Sequence, residues 1–214
     1  MDGVKLADRL AYGAGCAARR VGFVHDAFRP DGPEAPLDPA RRFLRLSVAY
    51  ALPGGSVTAP SGFAAPFRQA WADWSYLRPG DYLAGPEGVA LVAEIELPKP
   101  MLVVMTNAMV TLARPAAPVL AGLNPYGAVT RTTETVLVRG FPASLLAGGG
   151  GERARAGLPD DAKLPGFTAM LPIVAGVQPG VDDVLMDERG GRFVLTAVEH
   201  VGAVWRFSLV QAVS

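Results

Sequence analysis

Two segments of this chain, about one hundred residues apart, follow one pattern: RPGDYLAGPEGVALVAEIE over residues 78–96 and VDDVLMDERGGRFVLTAVE over residues 181–199. Each carries an Asp, a leucine two places on, a Gly-bearing turn and then a hydrophobic run. At constant offset Asp81 falls on Asp183, Leu83 on Leu185, Gly88 on Gly190, Leu91 on Phe193 and Val92 on Val194; a slip of one residue then brings Glu96 onto Glu199. The glycine supplies the positive φ that a tight hairpin needs, and the Asp carboxylate can bond nearby backbone to fix the turn where the strand starts. Both segments continue into another strand-like run, MLVVMTNAMVTLAR and AVWRFSLVQAV. The predicted unit is a β-meander of strand, tight turn, strand, loop, strand. A tandem duplication and a chance likeness between hairpins both account for the similarity.

Alternation along the second copy sends Phe193, Leu195 and Ala197 one way and Val194, Thr196 and Val198 the other. Both faces are apolar, as in a small closed barrel. In the last strand Trp205, Phe207 and Leu209 alternate with Arg206 and Ser208, which leaves one face wet. The 25 glycines and 19 prolines punctuate the chain and leave little room for helices. Residues 4–21 are the exception: Leu6, Leu10, Ala14, Ala17, Ala18 and Val21 recur at helical spacing, with Asp2 before them as an N-cap. Gly13 and Gly15 weaken that helix by about 1 kcal/mol each unless a neighbouring backbone packs against them. The expected fold is mainly β, with two tandem small β-barrel or sandwich domains and an N-terminal helical arm.

The segment HDAFRPDGPEAPLDPA, residues 25–40, reads as an extended connector crossing a surface. Phe43, Leu44, Leu46, Val48 and Tyr50 then predict a strand ending at Pro53, Gly54 and Gly55. FAAPFRQAWADWSY, residues 63–76, fits either a short helix or an aromatic-rich loop. ARPAAPVLAGLNPYGAV separates the two halves, and a β-branched run over residues 130–138 reads as the first strand of the second. These readings give an arm over residues 1–38, a first barrel over 39–116 and a second over 117–214, with a Gly-rich loop near 148–157. Four consecutive glycines there lack the Lys-Ser/Thr of a phosphate-binding loop.

Hydrophobic residues make up 50% of the chain and charged residues 19%, the wrong balance for bulk disorder. Twenty basic and twenty acidic residues leave no net charge, so no long-range field gathers nucleic acid or anionic lipid. Neutrality also removes a barrier to close self-association. One cysteine and two histidines cannot form an internal disulfide or a structural zinc site of four N/S ligands. The acidic start MDGVKLADRL and the lack of an apolar run long enough to span a bilayer predict a soluble, unexported protein.

No segment carries a catalytic signature, and no catalytic residue, metal ligand or cofactor is expected. Asp182 and Asp183, neighbours in a strand, point to opposite faces, and Asp187 and Glu188 sit in a predicted hairpin turn where acids are ordinary. His200 has no activated nucleophile in sequence to serve. Cys16 reads as an apolar filler. The segments suited to contact are the helix, through Leu6, Leu10, Arg9, Arg19 and Arg20, and the loop opened by Gly148, Gly149, Gly150 and Gly151. Trp71, Trp74 and Tyr76 form either core under the first barrel or a stacking platform for a sugar.

The order of features, ADRLAYGAGCAARRVG, DAFRP, PLDPARRFLRL, PGDYLAG, ARPAAP and the closing DDVLMDERGGRFVLTAVEHVGAVWRFSLVQA, resembles structural proteins encoded in the morphogenesis modules of tailed bacteriophages and prophages. The closing segment is similar in style to the small β-barrel of head-to-tail stopper and connector proteins, where an Asp-hydrophobic turn leads into a Gly-x-Phe/Tyr-x-Val strand. Here those positions are Asp183, Leu185, Gly191, Phe193 and Leu195, with Val194 where many relatives place a polar residue. The resemblance implies a virion protein, made in the host cytoplasm, that assembles as a ring-like homo-oligomer at the neck or tail. It would contact other virion proteins and lie near packaged DNA without sequence-specific binding. Capsid decoration and a carbohydrate-binding tail or baseplate module are the alternatives; a carboxylate-dependent hydrolase is a more distant one.

Overall fold

The computed structural model describes residues 2–52, 66–116, 133–148 and 166–212. Helix α1 (Gly3–Val21) starts where expected, with the Asp2 carboxylate accepting the Val4 amide at 3.1 Å. Such a cap is worth about 1 kcal/mol. Twelve strands follow among the described residues: β1 (Phe23–Phe28), β2 (Arg42–Ala51), β3 (Phe67–Trp71), β4 (Tyr82–Gly85), β5 (Gly88–Glu94), β6 (Met101–Met105), β7 (Ala108–Pro115), β8 (Glu134–Ala147), β9 (Gly166–Pro172), β10 (Val184–Asp187), β11 (Arg192–Val201) and β12 (Val204–Gln211). They close into two six-stranded antiparallel barrels of one topology, β1-β2-β3-β6-β5-β4 and β7-β8-β9-β12-β11-β10. The mainly β class, the paired barrels and the N-terminal helix agree with the sequence.

Register makes the repeat exact to the residue. On the seam between first and fourth strands, Phe28 faces Tyr82 and Ala27 faces Leu83 in one barrel; Ala113 faces Val184 and Leu112 faces Leu185 in the other. Asp81 therefore matches Asp183, as the sequence pattern requires. The slip lies earlier than expected, inside the hairpin. Leu83 pairs with Ala90 but Leu185 with Phe193, because the second turn holds one residue more. Leu91 thus corresponds to Val194 and Ala90 to Phe193. Both turn glycines keep the positive φ they were singled out for, +110° at Gly88 and +84° at Gly190.

The domain boundaries move. Residues 23–28 were expected in the arm but are β1, and β7 was expected to close the first barrel but opens the second. Each barrel needs this first strand to bridge its second and fourth strands, since closure alone removes exposed edges. The division falls at Thr106 and Asn107, which interrupt what reads in sequence as one run, MLVVMTNAMVTLAR. The expected first strand of the second half is its second strand, β8; residues 130–132 of that expectation lie outside the described residues, as do Pro53, Gly54, Gly55 and residues 117–129 of the segment that separates the halves. The true connector is shorter, and it does cross a surface. The Ala35 amide donates to the Arg139 carbonyl at 3.2 Å and the Arg139 amide to the Pro33 carbonyl at 2.8 Å, which lays the segment along β8. Over the described part of residues 63–76, neither option holds for Phe67–Trp71, which is β3, paired on both sides, with Ala70 in the barrel core, while residues 72–76, carrying Trp74 and Tyr76, form a loop.

Ala27, Ala70 and Ala90 interleave with Val48, Leu83, Val92, Met101 and Val103 in the core of the first barrel, and Ala11 and Ala14 of α1 join it. The second is filled by bulkier groups, among them Leu112, Phe141, Leu185, Phe193, Phe207 and Leu209. One transverse row ties the two together. Phe28, Tyr82, Leu91, Val104 and Phe67 stand side by side across five strands of the first barrel, and they pack into the core cluster of the second. At the centre, the buried Tyr82 hydroxyl donates to the Pro142 carbonyl of β8 at 2.7 Å.

Candidate functional site

The two buried aspartates come first, because buried carboxylates are where acid or base chemistry would be sought. Asp81 accepts Arg29 Nε on Oδ1 at 2.8 Å and Arg29 Nη2 on Oδ2 at 2.7 Å, while the Arg78 amide donates to Oδ2 at 2.8 Å. Arg29 also donates to the Tyr76 carbonyl at 3.1 Å. Asp183 repeats the set: Arg114 Nε at 2.8 Å, Arg114 Nη2 at 2.9 Å and the Gly180 amide at 2.7 Å, with Arg114 reaching the Gln178 carbonyl at 2.8 Å. The turn-fixing bond anticipated for each Asp is thus present. Bidentate pairing holds both guanidinium groups above the ordinary arginine range, chiefly through the hydrogen bond to the carboxylate. Engaged on both oxygens, neither aspartate is poised as a base.

Sequence reasoning missed both arginines. A signal existed: an Arg-Pro stands directly after β1, at residues 29–30, and at the end of β7, at residues 114–115. The pairs span 52 and 69 residues, however, so no constant offset aligns arginine and aspartate together.

The remaining acids and His200 behave as turn and surface groups. Asp187 Oδ1 accepts the Arg189 amide at 3.0 Å and the Gly191 amide at 2.6 Å within the hairpin. Glu188 accepts the Met109 amide. Asp182 is exposed and occupies the left-handed region at φ +70°, where its counterpart Gly80 has +98°. His200 is exposed beside the Trp205 ring. Cys16 is half-buried and unpaired. Among the described residues no three His, Cys, Asp or Glu side chains converge on a metal-sized site.

His25 carries the most unusual environment. It is fully buried, its Nδ1 lies 3.0 Å from the Phe23 carbonyl, and its Nε2 has no partner among the described residues. The ring meets Tyr50 edge-on at 5.4 Å, and the Tyr50 hydroxyl is likewise buried without a partner among the described residues. Burial, with a smaller contribution from Glu87, pushes the Tyr50 phenol well above its usual range. Gly85 makes room for the imidazole, since a Cβ there would lie 2.3 Å from Cδ2. The second barrel has Val110 at the place of His25 and Phe141 at that of Leu46.

Of the residues expected at interfaces, Leu6, Arg9, Arg19 and Arg20 are exposed and Leu10 is half-buried against the first-barrel core. The buried face of α1 is Ala11, Ala14, Gly15 and Ala18, so Leu6, Ala17 and Val21 do not belong to it, contrary to the spacing argument. Small residues win because the helix lies close to backbone. A Cβ on Gly15 would come within 2.8 Å of Asp73 Cβ, whereas Gly13 faces open space. Gly148 follows β8 and its amide donates to the Gly166 carbonyl at 2.9 Å; Gly149, Gly150 and Gly151 lie outside the described residues. Trp74 is buried as core, while Trp71 and Tyr76 are exposed.

Two concavities stand out. A groove of about 550 Å³ runs between α1 and the first barrel, with Val24, Leu44, Leu46 and Tyr76 as apolar lining and Arg19, Arg45 and Asp73 on its polar side. The smaller, about 180 Å³, lies between the barrels and is lined by Phe67, Val104, Met170 and Val204 with Glu94 and Arg206. Sequence reasoning missed the first groove because Val24 falls beside the supposed connector. No protein-family model matches the chain, and comparisons with curated proteins and with solved structures give no match either.

Proposed function

We propose that this protein is a non-enzymatic structural component of a tailed-phage virion, assembling as a symmetric oligomer at the neck or tail. The observation that carries the reading is the half-docked helix. Its C-terminal half is packed on the first barrel, while its first two turns stand clear of it with Val4 68% and Leu6 44% exposed. An apolar element left projecting from a rigid double barrel is what an assembly protein offers to a neighbour. The engagement of both buried aspartates in arginine pairs favours a mechanical role over acid–base chemistry. Rigid barrels give such a part its shape, and net neutrality lets many copies pack closely.

The test is to image purified virions and locate the chain at residue-level resolution. Symmetric copies at the neck or tail are the expected result; absence from the particle overturns the reading. One observation favours a second: Trp71 and Tyr76 expose aromatic rings, as a carbohydrate-reading tail or baseplate module would. Glycan binding that is lost on Trp71→Ala and Tyr76→Ala would favour it.

A further inference from the structure

We propose that the projecting half of α1 docks into the groove between α1 and the first barrel of a second copy of this chain, making a head-to-tail contact. This rests on the assembly reading and names the partner and the surfaces.

The repeat identifies the groove as a docking face. Register matches Val24 and Ser47 of the first barrel to Met109 and Pro142 of the second. On the second barrel the Pro142 side of that place is covered, because Tyr82 of the first donates to the Pro142 carbonyl there, while Met109 stays 40% exposed. On the first barrel the same place is only partly covered by α1, and the rest is the groove, with Val24 51% and Tyr76 70% exposed. The Ser47 side of the groove therefore corresponds to a contact that the fold already uses once, between its two barrels.

The helix supplies the matching face. Ala11, Ala14 and Ala18 already pack on this barrel, and Val4 and Ala7 extend the same stripe at three- and four-residue spacing, with Leu6 and Leu10 beside it. Asp8 and Arg9 are exposed at the polar margins of that apolar strip, and neither has an ion-pair partner among the described residues. The groove offers the opposite signs. Arg19 is exposed and also without an ion-pair partner among the described residues, Arg45 is held only by Asp26 at 3.5 Å, and Asp73 carries the acid. An apolar strip edged by an acid and a base meets an apolar trough edged by bases and an acid. Donated in one direction from copy to copy, the tip makes a heterologous contact, and repetition gives a ring where the rotation closes.

The experiment is native mass spectrometry and sedimentation of the full chain, with circular dichroism to verify folding. Wild-type protein is expected to associate. Asp8→Arg and Arg19→Asp, both at exposed positions, should each raise the dissociation constant about tenfold, and the double variant Asp8→Arg/Arg19→Asp should restore association. Wild-type chain that stays monomeric up to about 1 mM overturns the proposal, since that corresponds to only about 4 kcal/mol of binding. Folded single variants that associate like wild type overturn it too, as does a double variant no better than the singles. Copies found in the virion but joined through other surfaces would refute this contact and leave the proposed function standing; restored association in a protein absent from virions would do the reverse.

Discussion

Removing Arg114 should destabilise the protein by stranding a buried charge. The Asp183 side chain is 2% exposed and has three donors, two from Arg114 and one from the Gly180 amide. Arg114→Met keeps the aliphatic stem and leaves a buried carboxylate with one donor. Breaking a buried pair from one side costs about 3–5 kcal/mol. Arg114 itself is half exposed, so water can reach the vacated side, and the lower end applies: about 3 kcal/mol, a factor of about 150 in the folding equilibrium. For a chain of this size that is about 6–12 °C in Tm, measured by thermal circular dichroism at pH 7. The double variant Arg114→Met/Asp183→Asn removes the stranded charge as well and should recover at least about 1 kcal/mol relative to the sum of the singles. Arg29→Met should match Arg114→Met within about 1 kcal/mol, because its carboxylate is as buried and its donors as close. Single variants that each cost under about 1 kcal/mol, or a double variant equal to the sum, would refute the assignment of these pairs as the clamps that fix the strand starts.

Further outcomes follow from particular atoms. Burial raises the phenol pKa of Tyr50 and of Tyr82, so each favours its protonated form in the folded state. That stability is full below the unfolded tyrosine value of about 10 and is lost as pH rises beyond it, by about 1.4 kcal/mol per pH unit per tyrosine. Denaturant titrations between pH 8 and about 11 should show the fall, and Tyr50→Phe and Tyr82→Phe should each remove one proton's share of it. At neutral pH Tyr82→Phe should cost about 1 kcal/mol for its bond to Pro142, while Tyr50→Phe should cost nothing, its hydroxyl being unpartnered. At the C-cap of α1, Gly22→Ala puts a Cβ 2.1 Å from the Val48 carbonyl oxygen, a backbone atom that cannot rotate away, and should lose about 3 kcal/mol in chemical denaturation. Gly13→Ala, facing open space, should instead gain up to about 1 kcal/mol.

The sequence alone determined what is local or periodic. The 102-residue repeat, the hairpin glycines, the Asp2 cap and the alternation of Phe207 and Leu209 with Arg206 and Ser208 are each written within a few residues, and strands, turns and helix appear where those signals put them. Tertiary structure decided what depends on closure. β1 looks like part of a proline-rich connector until the seam with β4 claims it, because a barrel edge is satisfied only by a strand distant in sequence. The arginine partners of Asp81 and Asp183 escaped notice for the same reason: chain lengths between partners differ in the two barrels, so only the three-dimensional register shows that one clamp occurs twice. The groove beside α1 exists only because a small-residue helix packs on one barrel where a whole barrel packs on the other. No pattern along the chain encodes which surface a helix leaves uncovered, since that is set by the shape of what it packs against.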